Sequence, residues 1–137
     1  MNVKDSQVNL PKRPHLRLEA RYWNSGYKLV AGIDEVGRGA WAGPVVAAAV
    51  VLPVRPRFLN RKLKDVKDSK CLSPHIRDKM SRLILDVALF CGFGSASPEE
   101  IDEYGIVGAT RTAMCRAVTA LSSQPDQLLI DAVDLDS

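Results

Sequence analysis

The stretch Gly32 to Pro53, GIDEVGRGAWAGPVVAAAVVLP, constrains this chain more than any other. Leu29-Val30-Ala31 leads into two adjacent carboxylates, Asp34 and Glu35. A glycine-rich turn follows, and a second apolar run fills Val45 to Leu52. Short apolar runs bounded by turn residues are buried strands. They predict two adjacent strands joined by a tight loop, the first over 28–35 with acid where it ends. Successive strand residues point to opposite faces, so Asp34 and Glu35 can serve one site only at the strand's end. A carboxylate is costly to bury unless it is paired or bound to a cation. Convergent side-chain and backbone oxygens suit a hard divalent ion.

At 137 residues the chain makes one domain at most, with room for a real core. An apolar content of 46% and a charged content of 26% are those of a folded soluble protein. The net charge of +3 hides an asymmetry. Residues 1–82 hold 17 Lys and Arg against 7 Asp and Glu, whereas residues 83–137 hold 2 against 9. A basic front half suits a polyanion, although such a surface can also be merely solvated. Cys71, Cys91 and Cys115 are odd in number and widely spaced, which suggests neither a disulfide framework nor a zinc site. The N-terminus has no apolar signal core, and the longest apolar run is too short to span a bilayer. A cytoplasmic protein without a membrane partner is expected.

Along the chain, residues 1–14 read as a loose tail. A short helix is expected over 15–23, where Leu16, Ala20 and Trp23 recur at helical spacing. Residues 1–27 are thus a tail and short helix ahead of the domain at 28–137, and Tyr22 and Trp23 are packing residues rather than a base-stacking platform. The loop from Gly37 to Gly43 can cradle a phosphate through its N–H groups, and Arg38 sets a cation beside the acids. The loop lacks the ending of a P-loop and no helix follows it. Residues 53–72 read as a polar connection carrying Arg55, Arg57, Arg61, Lys62, Lys64, Lys67 and Lys70, open to phosphate contact. Ser73 and Pro74 start a helix through about Ala88. Its stripe of Ile76, Met80, Leu83, Ile84 and Val87 is expected in the core.

A third strand is predicted over 89–96, with Gly92 and Gly94 letting a neighbour approach closely. Ser97 and Glu100 form a capping box for a short helix that breaks near Gly105. A longer helix follows, with Ala109, Ala113, Met114, Ala117 and Leu121 inward. Residues 127–133 make a fourth strand running into Asp131. A helix between strands implies that this one lies parallel in the same sheet. Asp131 would then stand beside Asp34 and Glu35 at the strands' carboxyl ends, and three convergent oxygens suit Mg²⁺ or Mn²⁺.

These features together closely resemble the type 2 ribonuclease H family, bacterial ribonuclease HII. The resemblance rests on GIDEVGRG, on Gly43 to Val50, on Asp68-Ser69-Lys70 with Leu72-Ser73, and on Ile101-Asp102-Glu103. It continues through Ala109-Thr110, Ala113-Met114, Arg116-Ala117-Val118 and Leu129-Ile130-Asp131. It implies an α/β ribonuclease H-like mixed sheet with flanking helices. It also implies an endonuclease that hydrolyses the RNA strand of RNA–DNA hybrids and ribonucleotides embedded in duplex DNA. By position, Asp34, Glu35 and Asp131 match the family's catalytic, metal-binding acids. Gly37, Arg38 and Gly39 match its motif for the ribose 2′-OH and the scissile phosphate, the 2′-OH being what distinguishes RNA from DNA. Ser69 and Lys70 fall on its substrate face. The implied mechanism uses two cations, Mn²⁺ or Mg²⁺, in an in-line displacement with no covalent intermediate. The complete enzyme is expected to be a monomer.

Some positions depart from the family. Its fourth metal-binding Asp and a substrate-stacking Tyr fall on segments after the fourth strand, so the C-terminal part of the domain at 28–137 is expected to be missing. Ala132 stands where the family usually has Gly, and Cys71 replaces a second Lys. Asp134 and Asp136 would face away from Asp131 on a continuing strand. Low cleavage and a strand edge prone to association are therefore expected of the chain alone. A non-catalytic or weakly active nucleic-acid-binding remnant is the alternative reading. A Mg²⁺-dependent phosphotransferase is a third, disfavoured by the absence of a nucleotide-binding motif.

Overall fold

The computed structural model describes residues 14–38, 42–67 and 71–130. Eight elements follow in order: α1 (Arg17–Asn24), β1 (Val30–Val36), β2 (Val45–Val51), α2 (Pro56–Lys62), α3 (Pro74–Val87), β3 (Phe90–Ala96), α4 (Pro98–Thr119) and β4 (Gln127–Ile130). The strands form one mixed sheet of order β3-β2-β1-β4. β2 is antiparallel to both β1 and β3, and β4 is parallel to β1. The hairpin, the parallel fourth strand and the mixed α/β sheet match the reading of the sequence. The expected tail before residue 14 and the end of the fourth strand after Ile130 lie outside the described residues.

α4 covers one face of the sheet and makes the core there. Ala31 and Ile33 of β1, Val45, Ala47, Ala49 and Val51 of β2, and Ala96 of β3 meet Ala109, Ala113, Met114 and Ala117 of α4. Strict alternation along β2 puts every second residue out of contact with water. Small side chains on both partners let the helix lie close. Gly92 and Gly94 are essential to this, because a Cβ on either would run into the α4 backbone, at Ala117 O and Ala113 O respectively.

α4 is two helical segments joined at Gly105, whose φ of 75° and ψ of 168° are open only to glycine. The expected capping box is present: the Ser97 hydroxyl accepts the Glu100 N–H at 3.2 Å, and the Glu100 carboxylate accepts the Ser97 N–H at 2.9 Å. Glu100 also takes a bidentate pair from Arg116, at 2.6 and 2.8 Å, while Arg116 donates to Ser95 O at 2.7 Å. The hydrogen bonds from Arg116 and the Ser97 backbone hold the Glu100 carboxyl down at about 2. One ion pair thus ties both segments of α4 and the edge strand together across the glycine break.

The other sheet face corrects two expectations. The connection at 53–72 contains a helix, α2, started by Pro56 and anchored by fully buried Leu59. Its cationic composition concealed the Leu59–Leu63 spacing that makes one side apolar. The α3 stripe is not core. None of its residues is fully buried: Ile76 is 38% exposed, and Met80, Leu83, Ile84 and Val87 are half-buried. The core already closes on α4, so α3 faces a loosely covered sheet. An open groove of about 790 Å³ remains there, bounded by α1, α2, Ile84 of α3, Val50 and Leu129. Trp23 is half-buried with its indole N–H shut off from solvent, in keeping with a packing role.

Gly94→Ala should lower stability by about 1–3 kcal/mol, the usual cost of overpacking, because its Cβ meets α4 backbone and Arg116 Cβ. Gly32→Ala, where a Cβ meets nothing within 4 Å, should be nearly neutral. Urea midpoints of the two variants test the contrast, and equal losses would contradict the packing described.

Candidate active site on strand β1

β1 carries both acids. In the antiparallel ladder Asp34 pairs with Ala48 and Glu35 with Ala47. In the parallel ladder the last described pair is Ile33 with Ile130. Both acids therefore stand just past that pair. β1 itself continues to Val36, one residue further than the sequence predicted, because β2 keeps pairing with it through Val46.

The two side chains begin on opposite faces. Glu35 shares the face of Ala31 and Ile33, at the margin of the core, with a side chain 16% exposed. Asp34 shares the face of Gly32, is exposed, and lines the open groove. Its Oδ1 accepts the Glu35 backbone N–H at 2.8 Å. Burial raises the pKa of the Glu35 carboxyl above its usual value, and the Asp34 carboxylate adds to the rise. The Arg38 guanidinium, with Nη1 3.7 Å from Glu35 Oε1, acts in the opposite direction.

Gly37 brings Arg38 back to Glu35. Its φ is +93°, and a Cβ there would collide with Pro44 O, so position 37 admits glycine on two independent grounds. The turn sits directly after Val36 and leaves Arg38 with only a quarter of its side chain exposed. The two carboxylates supply oxygen donors only, the kind a hard divalent cation takes. No group of three His, Cys, Asp or Glu side chains suited to a metal occurs among the described residues.

Asp34 Oδ1 holds the Glu35 N–H, and the Gly37 turn folds Arg38 back onto Glu35. Gly39, Ser69, Lys70 and Asp131 lie outside the described residues, as do Asp134 and Asp136. Asp126 is a functional position that the sequence pattern does not reveal. Asp126 Oδ2 accepts the N–H groups of Lys28 (3.3 Å) and Leu29 (3.1 Å), and its own N–H donates to Leu29 O at 2.7 Å. These bonds pin the start of β4 to the start of β1 and so set the parallel register. An Asp at a strand entrance can satisfy backbone donors in this way, but its partner lies 97 residues away and no local signal reveals it.

Comparison with known proteins gives this arrangement its class. The fold matches that of ribonuclease H2 from Pyrococcus horikoshii OT3 with a TM-score of 0.66 and 30% identity, over 77% of this chain and 51% of that one. Bst RNase HIII, solved in complex with Mn²⁺, shares the fold at a TM-score of 0.56 and 23% identity, over 78% of this chain and 37% of its own. The fold class is thus ribonuclease H-like. Residues 31–136 match the family model for ribonuclease HII, and the chain belongs to that family. Ribonuclease HII of Leuconostoc citreum is 48% identical over 85% of this chain and 43% of its own length. That of Roseiflexus castenholzii is 50% identical over 81% and 50%. The chain spans about half the length of the curated relatives it matches. Among the described residues no helix is long and apolar enough to cross a membrane.

If Asp34 raises the Glu35 pKa, Asp34→Asn should lower it, whereas Arg38→Ala should raise it further. A carboxyl-carbon NMR titration without metal reads both shifts. An unchanged Glu35 titration in Asp34→Asn would show that the carboxylates do not share a field.

Proposed function

We propose that this chain carries the catalytic site of a metal-dependent endonuclease that hydrolyses the RNA strand of RNA–DNA hybrids and ribonucleotides embedded in duplex DNA. The observation that carries this reading is the pair Asp34 and Glu35 on β1, just past the last described β1/β4 pair, with Arg38 turned back onto Glu35. Membership of the ribonuclease HII family supports it. So does the basic surplus of residues 1–82.

Asp34 and Glu35 would hold Mn²⁺ or Mg²⁺ together with Asp131. Asp131 follows Ile130 in the chain, and Ile33, the ladder partner of Ile130, precedes Asp34. Divalent ions bound there would activate water and stabilise the leaving 3′-oxygen. The chain's own part is positioning and charge. β1 fixes the carboxylates, and Arg38, between Gly37 and Gly39, offers a guanidinium to the ribose and scissile phosphate. Ser69 and Lys70 would add substrate contacts. The catalytic unit in this reading runs from residue 28 onward, with 1–27 appended to it. A cytoplasmic, monomeric protein goes with the reading.

The test is cleavage of a duplex with one embedded ribonucleotide, in Mn²⁺ and then with EDTA. Cleavage should occur at that ribonucleotide and cease in EDTA. Asp34→Asn should lose at least about 100-fold, since even outer-shell partners of a metal are worth 10–100-fold. In the same series Arg38→Ala should weaken binding of the ribonucleotide duplex more than of an all-DNA duplex. Binding without any cleavage would replace this reading with that of a non-catalytic nucleic-acid-binding protein.

A further inference from the structure

The α2 segment carries a cluster of charge that the β1 site does not use. From Arg55 to Lys67 the chain holds Arg55, Arg57, Arg61, Lys62, Lys64 and Lys67 against a single acid, Asp65. All six cations are exposed. Among the described residues none of them has a carboxylate within ion-pair distance, in contrast to Arg82 of α3, which holds Asp78 at 3.0 Å. Like charges so close together repel, and such a surface persists when a polyanion neutralises it.

Two features make α2 a formed surface rather than a floppy basic run. Leu59, completely buried, anchors its inner side. On the outer side Phe58 is flanked by guanidiniums, Arg55 at 4.4 Å from the ring centroid and Arg61 at 6.0 Å. Stacking of this kind orders arginines that would otherwise lose entropy on binding. From Arg55 to Lys62 the ridge is about 10 Å long at 1.5 Å per residue, which matches about three successive phosphates of one strand at a rise of about 3.4 Å. Its inner end adjoins the acid site: Asn60 and Lys64 line the same groove as Asp34.

We propose that the outer face of α2 is a second nucleic-acid contact, binding the sugar–phosphate backbone of the duplex whose ribonucleotide is presented to β1, without reading sequence or sugar. The proposal rests on the reading of β1 as a nuclease site. A backbone partner suits this surface better than a lipid one, because guanidiniums lie against the aromatic ring and the exposed side chains from Arg57 to Lys62 are all polar or charged. An acidic protein is the remaining competitor, and the experiment addresses it.

The experiment measures binding of a fluorescent all-DNA duplex to the intact chain in EDTA, with salt raised from about 50 to about 200 mM. Arg57→Gln, Arg61→Gln and Lys62→Gln combined should weaken binding at least tenfold and reduce the slope of log K against log salt by about 3, or about 1 per lost phosphate contact. Arg57→Lys, Arg61→Lys and Lys62→Arg combined should keep the wild-type slope. If the triple Gln chain fails to fold, Arg57→Gln alone should still reduce the slope by about 1. An unchanged slope in a folded variant, or polyglutamate bound as tightly as duplex, overturns the proposal. Because this assay contains no metal, its outcome is separate from cleavage. An α2-dependent slope with no cleavage keeps α2 and removes the nuclease reading; cleavage with an α2-independent slope does the reverse.

Discussion

The close approach of α4 to β3 is the contact on which the rest of the structure depends. Gly92 and Gly94 have no side chains to hold the helix away, and α4 answers with Ala109, Ala113 and Ala117. Dense packing of small groups on one face of the sheet gives β1 and β2 a fixed platform. The Arg116–Glu100 pair braces the same contact across the Gly105 break. Because the core is complete on the α4 side, the opposite face is free to remain open, and Asp34 lies on that opposite face.

Placing Glu35 on the core side and Asp34 on the groove side has an electrostatic consequence. Burial and a neighbouring carboxylate both disfavour the ionised form of Glu35, and Arg38 offsets them only in part. A carboxyl disfavoured by burial and a like charge, on a rigid strand beside an obligatory glycine turn, is a candidate functional group. A hard cation would remove the conflict by favouring both carboxylates ionised at once. Asp126 contributes at a distance, since its bonds to the Lys28 and Leu29 N–H groups fix the register that brings β4 alongside β1.

Much of this was legible in the sequence, and the reasons are local. Alternation along β2, the Ser97–Glu100 capping box and the break at Gly105 each act within a few residues, so pattern and propensity identify them; the two glycines of β3 are legible because a glycine inside a strand marks a close approach whichever element makes it. Asp34, Glu35 and Arg38 were legible because acid and arginine flank a glycine turn between apolar runs. What escaped depends on contacts distant in sequence. Asp126 works through β1, and Arg116 works through Glu100 and Ser95. The α3 stripe has a good helical period, yet period cannot tell a core-facing helix from one that faces an open groove. α2 was hidden because six cations in thirteen residues outweigh one buried leucine in any compositional reading.

If the β1 acids hold a divalent cation, calorimetric titration of the intact chain with Mn²⁺ in the absence of nucleic acid should show binding that Asp34→Asn removes and that Asp102→Asn, at an exposed helical acid of α4, leaves intact. Mn²⁺ binding of equal affinity and stoichiometry in Asp34→Asn would place the cation elsewhere and overturn the β1 site.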